Sequence, residues 1–141
     1  TFMKADVDNP FLLMDPIIEE IHRETRAILV DFHAETTSEK IAFGHAMDGK
    51  VSAVVGTHTH VQTADEKILP GGTAYITDAG FCGAHDSVIG REKNFIVDRF
   101  KTLMPVKMHL ASGGIQLDGV VIDVDEATGK ATSIQRIQKP K

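Results

Sequence analysis

Apolar residues along the chain fall into short blocks separated by polar turns, and the spacing within each block names an element. Asp15-Pro16 followed by IIEEIHRET predicts a helix, with a side-chain cap, a proline at the first helical position and acids in the first turn. Ile17, Ile18 and Ile21 give that helix a buried side. AILVDF (27–32) is apolar and of strand length, and predicts a fully buried strand ending at His33. Thr36-Thr37-Ser38-Glu39 opens a second helix through KIAFGHAM, stopped at Asp48-Gly49. VSAVVG (51–56) predicts the next strand, so strand, helix and strand follow as in a parallel βαβ unit. Pro70-Gly71-Gly72 is a turn, TAYITDAG (73–80) a third strand, and FCGAHDSVIG (81–90) a loop. NFIVDRFKTLMP predicts a helix closed by Pro105, and IQLDGVVIDVD and ATSIQRIQ around EATGK predict a C-terminal β-hairpin. With 141 residues the expectation is a single α/β domain over 1–141.

Ligands of parallel sheets gather at the carboxyl ends of the strands. His33 follows one such end, and His58 and His60 follow the next. Two imidazoles at i and i+2 of an extended segment share a side, and a third brings the number to the minimum for a catalytic metal. His33, His58 and His60 are therefore the candidate metal ligands. The competing reading has His58 and His60 bonded to loop carbonyls and His33 starting the following helix. Asp31, Glu35 and Asp78 lie near strand ends; they are read as solvated or capping residues, with a role as ligands or in orienting the imidazoles as the alternative. Cys82 with His85 is read as coincidence rather than a nucleophile and its base; His22 and His45 are read as helical surface positions, and His109 has no pattern around it.

Composition narrows the class. Hydrophobic residues at 42% and charged residues at 25% are ordinary for a globular protein. A net charge of −5 without a basic cluster argues against nonspecific nucleic-acid binding, while a metal site can still attract small anions. The single cysteine, Cys82, suits a reducing compartment; with no apolar run of membrane-spanning length, the expectation is a cytoplasmic protein with no membrane partner.

DFHAETTSEK (31–40), VVGTHTHVQTADEKILPGGTAYITDAG (54–80), DSVIG (86–90) and QLDGVVIDVDEATGKATSIQRI together resemble the YmdB-like family of bacterial metallophosphoesterases, within the calcineurin-like superfamily. The resemblance covers nearly the whole chain. It implies part of a β-sandwich flanked by helices, and a phosphodiesterase with 2′,3′-cyclic nucleotides among its substrates. It also implies two divalent metal ions (iron, manganese or zinc), and maps its metal-binding histidines onto His33, His58 and His60. Family members are about twice as long, and their first half carries a strand ending in aspartate, an N-E/N motif and a GNH motif that this chain lacks. The chain, which opens on Thr1, accordingly looks like a carboxyl-terminal half with an incompletely supplied two-metal site. Alone it is expected to be weakly active or inactive and to self-associate through apolar surface. The alternative is a non-catalytic remnant that binds a metal or a partner.

Overall fold

The computed structural model describes residues 7–141; Thr1, and with it the expected cut edge, lies outside them. The elements run α1 (Pro10–Ile21), β1 (Leu29–His33), α2 (Thr37–Met47), β2 (Ala53–Thr57), β3 (Lys67–Ile68), β4 (Ala74–Ile76), β5 (Cys82–Ala84), α3 (Lys93–Thr102), β6 (Ile115–Val124) and β7 (Ala131–Pro140). They build two sheets, one ordered β1-β2-β4-β3 and the other β5-β6-β7.

The predicted βαβ unit is present. β1 and β2 run parallel with Leu29 opposite Ala53 and His33 opposite Thr57, and β4 continues the parallel run with Val54 opposite Tyr75. α2 begins where its cap predicts, because the Thr36 side chain accepts the Glu39 N–H, and it stops before Gly49, which has a φ of 78°. Helices cover one face of the first sheet: Ile18, Phe43 and Met47 pack with Val54 and Tyr75, and Phe32 stacks on Phe43 with ring centroids 3.9 Å apart. The second sheet covers the other face. There Ala53 and Ala74 meet Ala131, Ile122 and Ile134, small residues that let the two sheets approach.

Three expectations are corrected. α1 opens at Pro10 rather than at Asp15-Pro16, because Asn9 accepts the Phe11 N–H and Pro10 takes the first helical position; Pro16 sits inside the helix. β1 is not fully buried: it is an edge strand whose residues alternate, with Leu29 62% exposed. Cys82–Ala84, expected as loop, is a strand because it pairs antiparallel with Ile115–Leu117 at the edge of the hairpin. The hairpin itself is as predicted, with one irregularity at Asp123/Val124.

Candidate metal centre

β1, β2 and β4 end together, so the segments that follow them share one rim of the sheet. At this rim β2 runs into Thr57-His58-Thr59-His60. Both histidines leave the backbone regions that side-chain-bearing residues prefer, with φ of 125° at His58 and 62° at His60. Such strain costs on the order of 1–3 kcal/mol per residue and persists only where surrounding contacts over-determine it.

The contacts that hold it come from a buried ion pair. Lys40, on α2, and Asp78, just past β4, have fully buried side chains, and Lys40 Nζ donates to Asp78 Oδ2 at 3.2 Å. Lys40 Nζ also donates to the Thr57 carbonyl at 3.1 Å, and the Thr59 N–H donates to Asp78 Oδ2 at 2.8 Å. The Gly80 N–H donates to Asp78 Oδ1 at 3.0 Å. One lysine and one carboxylate thus grip the backbone on either side of His58. Burial alone would raise the Asp78 pKa, but the hydrogen bonds from Thr59, Gly80 and Lys40 outweigh it and hold the carboxyl below its ordinary value. Asp78 is a buried anchor, and the expectation of a solvated or capping residue is corrected.

His33 and His58 meet. His33 Nε2 lies 3.2 Å from His58 Nδ1, the rings edge to face with centroids 5.0 Å apart. His33 Nδ1 lies 3.0 Å from Thr57 Oγ1, and the Thr57 hydroxyl donates to Asp31 Oδ1 at 3.0 Å. The directions follow from that end. An ionised carboxylate only accepts, so Thr57 spends its proton on Asp31 and accepts from His33 Nδ1–H. The His33 Nε2 lone pair is then directed at His58. Asp31 therefore acts through Thr57 to set a tautomer, as orienting partners of metal-binding imidazoles do.

Two nitrogens at this separation suit neighbouring ligands of one ion: metal–nitrogen bonds of about 2.0–2.1 Å in tetrahedral geometry place them about 3.4 Å apart. His60 stands aside from the pair. Its ring lies 5.9 Å from that of Phe81, and it lines two clefts bounded by Val88 and Ile89. Among the described residues no group of three His, Cys, Asp or Glu side chains is arranged to hold a metal ion.

The remaining candidates fall elsewhere. Glu35 is exposed, and helix α2 is capped by Thr36 rather than started by His33. His85 stacks on Phe81 at 4.4 Å, with Nε2 3.2 Å from the Phe81 carbonyl oxygen and 3.6 Å from Asp118 Oδ2. Cys82 is exposed with Sγ 3.5 Å from the Asp118 carbonyl oxygen. His22 caps the end of α1, His45 is exposed on α2, and His109 lies against Phe95 at 4.8 Å.

The residue not singled out from sequence is Lys40, though a signal was available. Lys40, Phe43, Gly44 and Met47 recur at i, i+3, i+4 and i+7, so a lysine occupies the apolar stripe of α2, where it needs an anionic partner.

Two sheets packed face to face, with helices on the outer face of the mostly parallel one, are the architecture of metallophosphoesterase-type phosphatases. The chain belongs to the YmdB-like protein family, whose model matches residues 1–137. It is 55% identical over 131 residues to a 2′,3′-cyclic-nucleotide 2′-phosphodiesterase of Bacillus subtilis (strain 168), covering 93% of this chain and 50% of that protein. A crystal structure of a novel phosphatase from Mycoplasma pneumoniae superposes with a TM-score of 0.85 at 42% identity, covering 94% of this chain and 47% of the other. A hypothetical protein from Thermus thermophilus superposes with a TM-score of 0.87 at 38% identity, over 97% of this chain and 53% of the other. The chain spans about half the length of the curated relatives it matches. Among the described residues no helix is long and apolar enough to cross a membrane.

Proposed function

We propose that this chain is the carboxyl-terminal half of a cytoplasmic, metal-dependent phosphodiesterase acting on small phosphodiesters, 2′,3′-cyclic nucleotides among them, and that His33, His58 and His60 are its metal ligands. The observation that carries the reading is the 3.2 Å approach of His33 Nε2 to His58 Nδ1 at two adjacent parallel strand ends. Divalent ions bound there supply Lewis acidity toward the phosphate and a low-pKa water. Imidazole ligands suit iron, manganese or zinc. Asp31 and Thr57 present the His33 lone pair, and Lys40 and Asp78 hold the strained loop that offers His58 and His60.

Asp78 is buried against Lys40 and two backbone N–H groups, and Asp31 accepts from the Thr57 hydroxyl. Neutral imidazoles alone hold two cations poorly against their mutual repulsion. This observation favours the second reading for the chain taken by itself: a folded module that binds one ion or a partner and hydrolyses nothing.

Elemental analysis of protein purified without chelator, beside a His58→Ala/His60→Ala variant, tests the site, with bis-p-nitrophenyl phosphate hydrolysis measured on the same samples. Near-stoichiometric metal that disappears in the variant is the expected result. Equal metal in both proteins would sink the assignment, and metal without turnover would place this half with the second reading.

A further inference from the structure

Beyond the histidine pair, His60 forms part of the wall of a cleft of about 520 Å³ whose other walls come from the segment 88–108. That segment is pinned at its feet. Arg91 bridges to both Val88 and Leu110, the Glu92 N–H donates to the His109 carbonyl at 3.0 Å, and the Ala111 N–H to the Gly90 carbonyl at 3.0 Å. α3 stands on this base and buries Ile96, while Phe100 on the same helix is 75% exposed.

The lining is chemically specific. Ile96, Phe100 and Met108 make an apolar body, and Arg91 and Arg99 add two guanidinium groups. Arg99 Nη1 touches Met108 Sδ at 3.9 Å, and among the described residues neither arginine forms an ion pair with a carboxylate. None of the residues lining the cleft is acidic, in a chain whose net charge is −5. An apolar wall with an aromatic ring, unpaired arginines and an adjoining imidazole matches a molecule that joins a flat apolar ring to a negative charge. Bases stack on aromatic rings and on guanidinium planes, and arginine donates to ring carbonyls, ring nitrogens and phosphate alike.

We infer that this cleft is the subsite for the nucleoside of the phosphodiester: the base lies against Ile96, Phe100 and Met108, Arg91 and Arg99 engage its polar edge and negative charge, and His60 joins this subsite to the phosphate site. The inference rests on the hydrolytic reading above for the position of the phosphate. It makes the 88–108 segment the part of the chain that selects among phosphodiesters.

The test uses the full-length protein that the reading above proposes. Adenosine 2′,3′-cyclic phosphate is compared with ribose 2,3-cyclic phosphate, which has no base, for the parent protein and for Phe100→Ala and Arg99→Gln. The expected result is that the ratio of kcat/KM for the nucleotide over the abasic substrate falls about tenfold in each variant, carried mainly by KM, as the loss of one stacking partner predicts. Equilibrium dialysis with adenosine 3′-monophosphate gives a readout independent of turnover, with affinity about tenfold weaker in Phe100→Ala. An unchanged ratio together with unchanged nucleotide affinity overturns the subsite, even if hydrolysis is robust. Weakened nucleotide binding in a protein that hydrolyses neither substrate upholds the subsite and defeats the hydrolytic reading instead.

Discussion

Lys40 and Asp78, 38 residues apart in sequence, form an ion pair with no solvent access, and between them they bond the backbone of Thr57 and Thr59 on either side of His58. The pair joins α2 to the end of β4 and passes through the segment that carries the candidate ligands. Replacing one member leaves the other buried and uncompensated. Lys40→Met is expected to destabilise the fold by about 3–5 kcal/mol, read from urea unfolding. Pairing it with Asp78→Leu is not expected to restore stability, because Asp78 also serves the Thr59 and Gly80 N–H groups. Full recovery in the double variant would contradict that account.

Gly56, on β2, lies against Thr77 just past β4. A Cβ there would lie 1.9 Å from the Thr77 carbonyl oxygen and 2.9 Å from Lys40 Cδ. Gly56→Ala therefore has to push the backbone of one strand away from another, and a loss of about 3 kcal/mol or more is expected. Gly113→Ala is the comparison, since its nearest contacts are 3.4 Å away at the Asp86 side chain, and it should melt within a few degrees of the parent. Thermal denaturation of the two variants side by side decides this.

Thr57 should act on metal affinity more than on folding. Its hydroxyl joins Asp31 to His33 Nδ1, and Thr57→Val keeps the shape while removing the relay. Metal affinity is expected to fall about 10- to 100-fold, measured by competition with a chromophoric chelator. The loss of stability should stay near ~1 kcal/mol, the worth of an ordinary hydrogen bond. A variant that binds metal as tightly as the parent would remove Asp31 and Thr57 from the site.

Stability should fall at both ends of the pH scale for identifiable reasons. Burial works to raise Asp65, but hydrogen bonds from the Thr63 and Thr77 hydroxyls and the Thr77 N–H more than offset it, so its folded pKa is depressed, as is that of Asp78. A depressed carboxyl stabilises above its unfolded pKa of about 3.9, and that contribution is lost as pH falls through the folded value. Burial pushes the Tyr75 phenol up to about 12, so its contribution is present below about 10 and is lost as pH climbs from there toward 12. Unfolding free energies measured across the pH scale, from strong acid to strong base, should show both declines. Asp65→Asn should be less stable at neutral pH and lose less on acidification, and an acid limb as steep as the parent's would exclude Asp65 from it.

Among the described residues β1 leaves one edge unpaired, and Leu29, Asp31 and His33 are its exposed positions. An exposed strand edge with an apolar residue invites pairing with another copy. The chain studied alone is expected to self-associate in sedimentation velocity, and Leu29→Lys to shift it toward monomer. A monomer at all concentrations before mutation would count against this edge as the contact.

Local sequence determined the elements whose causes are local. Thr36, Glu39 and Gly49 bound α2, and alternating apolar residues on either side of a glycine-containing turn made the β6–β7 hairpin. Strand, helix and strand in close succession left parallel pairing as the natural outcome, so His33 and His58 were expected at one rim, and they stand at adjacent strand ends. The start of α1 was displaced because two proline signals compete, and Asn9-Pro10 carries the cap that Asp15-Pro16 also resembles. Other features depend on which strands become neighbours. β1 has the composition of a buried strand, yet its place at the sheet edge leaves Leu29 exposed. The place of Lys40 on the apolar stripe of α2 calls for an anionic partner, but only the packing of α2 against the end of β4 makes that partner Asp78. The φ of 125° at His58 lies outside even the left-handed region that histidine sometimes visits. It is held by long-range contacts from Lys40 and Asp78 to Thr57 and Thr59, which tertiary packing sets, whereas His60 is spanned by local bonds between the Thr59 hydroxyl and the Val61 backbone.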